Sequence, residues 1–164
     1  MTIIERLKVE FGVGEFAPCD FELRIGGSDI PAYELPLDYG KLRVTGSIDR
    51  VDLMEKDGIK YIRVIDYKTG GKEFKLGEVF SGLNMQMLIY LFAIWQNGGE
   101  YYKNVTPAGI LYFQAKNPKV SSDKIDKDSD ESTVLNASFN ELSMDGVILN
   151  NMFQFQHLPV PFPF

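Results

Sequence analysis

Residues 44–70 read VTGSIDRVDLMEKDGIKYIRVIDYKTG. Two strand-like segments flank Asp57-Gly58, a pair suited to a type I′ hairpin turn because both central positions of that turn need positive φ. A two-residue turn there sets the register, with Lys56 opposite Ile59, Asp52 opposite Arg63 and Asp49 opposite Asp66. Directly opposed residues hold their Cβ atoms about 4.5–5.5 Å apart. Two carboxylates at that separation repel unless a cation lies between them or one is protonated. Lys68 follows Asp66 by two residues and shares its face, whereas Asp52, an odd number from Asp49, falls on the other. Asp52 therefore reads as half of a structural cross-strand pair with Arg63. The apolar neighbours Ile48, Val64 and Ile65 place Asp49 and Asp66 at the end of buried strands.

This residue set suits metal-assisted phosphodiester cleavage. Mg²⁺ takes oxygen ligands, often only one or two carboxylates, and keeps several waters. Asp49, Asp66 and the backbone carbonyl of Tyr67 supply such ligands and leave positions for water and a phosphate. A bound metal lowers the pKa of water and stabilises charge on the phosphate, and a lysine such as Lys68 can orient the attacking water or stabilise the anionic transition state. The plain alternative is a surface hairpin whose Asp–Lys pair contributes about 0–1 kcal/mol.

Composition narrows the surroundings of this hairpin. The chain has 164 residues, 45% hydrophobic and 24% charged, which suits one globular domain with its own core. The apolar run near Met87–Trp95 is too short to span a membrane, and MTIIERLKVEF lacks a signal-peptide core. One cysteine, Cys19, and one histidine, His157, exclude an internal disulfide and a cysteine- or histidine-built cluster, which fits a cytoplasmic setting. The net charge of −6 argues against tight independent DNA binding, although acidic metal ligands are neutralised by their cations. Cys19 reads as a core or edge-strand filler, and His157 as incidental.

Outward from the hairpin, residues 1–12 suit a short helix or a leading strand. Phe16–Arg24 and Tyr33–Leu37 alternate as edge strands do, and Leu42–Asp52 forms the first arm of the hairpin. Leu76–Gln96 is expected to be the main helix, with apolar residues recurring at Val79, Leu83, Met87, Tyr90, Leu91 and Ile94 and a stop at Asn97-Gly98-Gly99. Gln86 and Tyr90, four apart, stack on one face of it, either as a satisfied polar notch or as part of the site. Pro107 opens a central strand, Ala108–Ala115. Residues 117–132 read as a mobile surface loop, Thr133–Met152 resumes as helix or strand, and the tail LPVPFPF cannot continue a helix. Lys72, Lys75, Lys116 and Lys119 are either phosphate contacts or solvated surface. Strands, a helix and a further strand imply an α/β sheet with the helix across one face.

Three segments in this order, Gly46-Ser47-Ile48-Asp49-Arg50-Val51-Asp52, then Ile65-Asp66-Tyr67-Lys68-Thr69-Gly70, then Gln86-Met87-Leu88-Ile89-Tyr90, resemble the motifs of the PD-(D/E)XK nucleases of the RecB type. Within that family GLNMQMLIYL and PAGILYF resemble the nuclease domain of the AddB/RexB subunits of ATP-dependent helicase–nucleases, over about residues 15–115. The resemblance implies a restriction-endonuclease-like α/β core with a mixed central sheet and flanking helices, spanning residues 1–164 as one domain. It implies Mg²⁺ (or Mn²⁺) dependence, exonuclease-type DNA cleavage in double-strand-break repair and recombination, and a partner chain in a helicase–nuclease. The same resemblance makes Asp49 and Asp66 metal ligands, Lys68 the catalytic lysine, and Gln86 and Tyr90 the helix motif beside the site. A further ligand is expected from the helix before the first strand, for which Glu5 and Glu10 are the candidates. The cysteines that hold the family's iron–sulfur cluster are absent, as is the helicase-like part, so the chain reads as an excised nuclease core. The other reading is a catalytically impaired DNA-binding or structural remnant of the same fold.

Overall fold

The computed structural model describes residues 3–69, 77–78, 85–115, 144–150 and 154–157. In chain order the elements are helix α1 (Ile3–Val13), strands β1 (Ala17–Ile25), β2 (Tyr33–Leu37), β3 (Gly40–Val44), β4 (Gly46–Lys56) and β5 (Ile59–Lys68), helix α2 (Gln86–Asn97), and strands β6 (Val105–Gln114), β7 (Met144–Asn150) and β8 (Gln154–His157). The Asp57-Gly58 turn forms as its residues require, with φ of 54° and 76°. It fixes the β4–β5 register as expected, with Lys56 opposite Ile59 and Asp52 opposite Arg63. The ladder closes at Arg50–Ile65, one position short of the expected Asp49–Asp66 pair.

Six strands lie in the order β1-β4-β5-β6-β7-β8, and β2 pairs with β3 in a separate two-stranded sheet. All neighbours in the large sheet are antiparallel except β5 and β6, which are parallel. A parallel pair needs a crossover connection, and α2 lies within it. The sheet is therefore mixed, with α helices flanking it, in the α/β architecture expected of a restriction-endonuclease-like core. Among the described residues no helix is long and apolar enough to cross a membrane.

Each face of the sheet has its own core. Ile62, Val64 and Ile110 pack with Met87, Leu91 and Ile94 of α2, whereas Ile65, Leu111, Phe113 and Met144 pack with Leu7 of α1. The alternation of β5 and β6 side chains between these two clusters follows from the two-residue period of a strand. Leu91 and Ile94 are fully buried, so truncating either to alanine costs about 2–5 kcal/mol.

Several boundaries differ from the sequence reading. The N-terminal segment is a helix, and the arm expected at Leu42–Asp52 is divided between β3 and β4 at Thr45. The strand expected from Pro107 starts at Val105, and Pro107 sits where the β5–β6 register shifts, between Ile62 and Arg63. That placement spares a ladder from the missing proline N–H. The ambiguous segment after residue 133 contains a strand, β7, and His157 lies on β8. Of the helix expected at Leu76–Gln96, Gly77 and Glu78 are helical and the described continuation is α2. It stops where expected, Gly98 donating its N–H to the Ile94 carbonyl at 2.8 Å and Gly99 taking φ 61°. Val79 and Leu83, the loop at 117–132, Lys72, Lys75, Lys116 and Lys119, and the tail LPVPFPF lie outside the described residues.

Candidate metal and active site

The regular alternation of β4 breaks at Asp49. Ile48 and Val51, three apart, both belong to the α2-side core, while Arg50 and Asp52 reach Glu10 and Arg63 on the α1 side. Across β1 the gap between the Phe21–Arg50 and Leu23–Ile48 pairs is filled by Glu22, which takes φ 53°. The strict parity used to separate Asp49 from Asp52 therefore does not hold through this point. The separation itself does hold, because Asp52 is fully buried among α1-side arginines and Asp49 is only partly buried.

Released from the ladder, Asp49 turns its carboxylate to the neighbouring strand. Its Oδ2 accepts the backbone N–H of Tyr67 at 2.7 Å. In an extended strand one residue's N–H and C=O point to the same edge, so the Tyr67 carbonyl faces the β4 side together with Asp49. Tyr67 thus brings a backbone oxygen beside one carboxylate and, through its chain neighbours, two further groups. Asp66 Oδ2 is shielded from solvent and lies 2.6 Å from Lys68 Nζ, an ion pair that is not aligned as a hydrogen bond. The lysine side chain is 41% exposed and the aspartate 21%, which leaves the pair at the mouth of the sheet.

The sequence reading missed Tyr112. It lies beside Asp66 in the parallel β5–β6 ladder, and Lys68 Nζ sits 5.5 Å from its ring centroid. Burial, and secondarily the charge of Asp66, push its hydroxyl pKa up to about 12. The central position of PAGILYF was the available signal, but only the β5–β6 register shows which of its residues meets Asp66.

Helix α2 brings Tyr90 and Gln86 to the junction between β3 and β4. Gln86 Nε2 donates to Tyr90 Oη at 2.7 Å, and Tyr90 Oη donates to the Thr45 carbonyl at 3.3 Å. Tyr90 is buried, whereas Gln86 is exposed at the start of α2. Gly46 explains its own place in the first motif, since a Cβ there would collide with the Tyr90 hydroxyl.

Neither N-terminal carboxylate joins Asp49 and Asp66 as a third ligand in this arrangement. Glu10 is buried and accepts from Arg50 Nη2 at 2.8 Å and Arg63 Nη2 at 2.9 Å, so its charge is already committed on the α1 side. Glu5 is exposed on α1. Among the described residues no three His, Cys, Asp or Glu side chains stand close enough to share a metal. Cys19 behaves as the expected filler: its Sγ donates to the Val51 carbonyl at 3.3 Å, and burial raises its thiol pKa.

A family model described as the PD-(D/E)XK nuclease superfamily matches residues 2–161. This chain belongs to that superfamily. PD-(D/E)XK nucleases generally use divalent metal ions. The chain is also 36% identical over 152 residues to a Clostridioides difficile protein named as the B subunit of an ATP-dependent helicase/deoxyribonuclease, covering 92% of this chain and 13% of that protein. Proteins of the same name from a Thermoanaerobacter species and from Clostridium kluyveri are each 39% identical, over 83% and 85% of this chain and 12% of their own length. The chain thus matches about one-eighth of the length of these relatives.

The residues present fit a divalent cation of the hard, oxygen-preferring kind. The solvent-shielded Asp66 oxygen, which has no aligned donor, the Asp49 carboxylate and the Tyr67 carbonyl would offer such a cation oxygen donors only, with waters completing the shell.

Proposed function

We propose that this PD-(D/E)XK domain is a Mg²⁺-dependent deoxyribonuclease centre, with Mn²⁺ able to substitute, working within a larger cytoplasmic helicase–nuclease that processes DNA breaks for repair and recombination. This reading is supported by two contacts flanking the point where the β4–β5 ladder ends, the Asp49 carboxylate on the Tyr67 backbone N–H and the Asp66–Lys68 ion pair. Asp49, Asp66 and the Tyr67 carbonyl hold the cation. When bound, that cation neutralises charge on the scissile phosphate and lowers the pKa of water. Lys68 positions the attacking water and stabilises negative charge developing on the phosphate. Its exposed ammonium and its contact with the Tyr112 ring put it at the solvent side of Asp66. Gln86, on an exposed helix start and anchored through Tyr90, contacts the substrate backbone.

The relatives' names support DNA as substrate and a second protein chain as partner. A catalytically impaired, DNA-binding remnant is the other reading, favoured by the lack of a third acidic side chain beside Asp49 and Asp66 among the described residues. Titrating the chain with Mg²⁺ or Mn²⁺ while following cleavage of single-stranded DNA, double-stranded DNA and RNA separates them. Metal-dependent DNA cleavage that disappears in Asp49→Ala and Asp66→Ala supports the enzyme. Absent cleavage with retained DNA binding supports the remnant, metal-independent cleavage overturns the role of the cation, and preferential cleavage of RNA overturns the choice of substrate.

A further inference from the structure

The α1 side of the sheet carries a buried charge network that touches Tyr67. Arg50 is fully buried, and its guanidinium makes four close polar contacts. Nε lies 2.8 Å from Asp52 Oδ1, Nη2 lies 2.8 Å from Glu10 Oε1 and 3.0 Å from Asp52 Oδ2, and Nη1 donates to Tyr67 Oη at 2.9 Å. Phe11 closes over the same group, with its ring centroid 5.2 Å from Arg50 Cζ. A planar fork held by two carboxylates and packed by an aromatic ring has little freedom. The fourth contact is therefore a fixed point for the Tyr67 hydroxyl.

Tyr67 is held at both ends. Its hydroxyl is bound to Arg50 on the α1 side, its ring packs edge-on against Phe113 at 5.5 Å, and its backbone N–H is bound to Asp49. The β4–β5 ladder has already ended at Arg50–Ile65, so no cross-strand backbone pair with β4 holds Tyr67 at this point. We infer that Arg50 is a positioning residue for the metal centre, acting through Tyr67 from the opposite side of the sheet. Fixing the tyrosine ring fixes the peptide that donates to Asp49 and presents its carbonyl on the same edge. Glu10 and Asp52 serve this by holding Arg50, which gives the α1 helix a part in the site without contributing a ligand. Residues that orient metal ligands from outside typically change metal affinity about 10–100-fold when altered.

This inference rests on the metal-site reading above, and the test keeps the two apart. Mn²⁺ binding to the full chain is measured by titration calorimetry for the native protein, Asp49→Ala, Tyr67→Phe and Arg50→Lys, with the thermal midpoint of each recorded without metal. Tyr67→Phe keeps the backbone and the ring contact with Phe113 and removes only the hydroxyl. The expected result is Mn²⁺ affinity about tenfold weaker in Tyr67→Phe at a nearly native thermal midpoint, with Arg50→Lys weakened at least as much and Asp49→Ala losing the site. Native-like Mn²⁺ affinity in Tyr67→Phe, with binding lost in Asp49→Ala, overturns the role of Arg50 and leaves the metal site standing. Equal Mn²⁺ binding by native protein and Asp49→Ala overturns the metal-site reading itself. If Arg50→Lys fails to fold, the Tyr67→Phe comparison decides the question alone.

Discussion

The β4–β5 hairpin carries two sets of charges that use the same residue types to opposite ends. On the α1 side, Arg50, Arg63, Asp52 and Glu10 neutralise one another, and their side chains are between 0% and 16% exposed. At the open end, Asp49, Asp66 and Lys68 bring two carboxylates and one ammonium to a half-exposed mouth. Burial makes the difference. Charges removed from water must find partners of opposite sign, and the α1-side residues find them in one another. The groups at the mouth are more exposed, Lys68 at 41% and Asp66 at 21%, and under the proposed function they keep coordination capacity for a cation and a phosphate. The buried network holds the sheet and α1 together, and the more exposed set beside it is the proposed place for chemistry.

Substitutions in and around the hairpin break or sharpen this contrast. The largest effect is expected at the mouth. Asp66→Ala should lower metal-dependent DNA cleavage by about 10³-fold or more, measured under single-turnover conditions, with the chain still folded. Asp52→Ala should act first on stability, because it strands Arg50 and Arg63 and costs about 3–5 kcal/mol, read from urea unfolding, and at matched folded fraction it should lower cleavage far less than Asp66→Ala. Equal loss of cleavage at matched folded fraction in both variants would erase the distinction between the two sets.

Gly46→Ala tests the wall between β4 and α2. It should displace Tyr90 and destabilise the fold by about 1–3 kcal/mol, and a native-like structure with Tyr90 unmoved would contradict the steric account. The Tyr112 hydroxyl, held up to about 12 by burial and by Asp66, gives a pH test of the mouth. Its proton is retained further in the folded state than in the unfolded chain, where tyrosine titrates near about 10. The associated stabilisation is fully present below about pH 10 and lost as pH rises through about 12. Tyr112→Phe should remove that part of the decline, on the order of 2 kcal/mol, in urea unfolding compared with native protein at pH 9 and pH 12. The smallest effect belongs to Lys56→Ala. Its pair with Glu15, 3.1 Å apart, has side chains 54% and 64% exposed, and its removal should change stability by about 0–1 kcal/mol.

Much of the hairpin was legible because short-range rules govern it. Asp57-Gly58 admits positive φ at two successive positions, the turn length sets the pairing, and Asp52–Arg63 follows. The composition of VIDYKTG and GSIDRVD was enough to single out Asp49, Asp66 and Lys68. The pairing of Arg50 with Glu10 was less legible. Arg50 and Glu10 are 40 residues apart and meet because α1 packs across the sheet, an outcome that no local periodicity encodes. The same holds for Gln86, whose exposure depends on where it lies on the packed helix rather than on its residue type.

What the amino-acid order determined by itself was the turn, the hairpin register, the candidate ligands and the helix stop at Gly98, since each depends on backbone preferences within a few residues. Tertiary structure alone decided three further points: the break in alternation at Asp49, the meeting of Tyr112 with Asp66, and the clamp of Tyr67 between Arg50 and Asp49. Each depends on neighbouring strands and helices competing for the same backbone groups and the same buried space. Those forces act only after distant segments have packed.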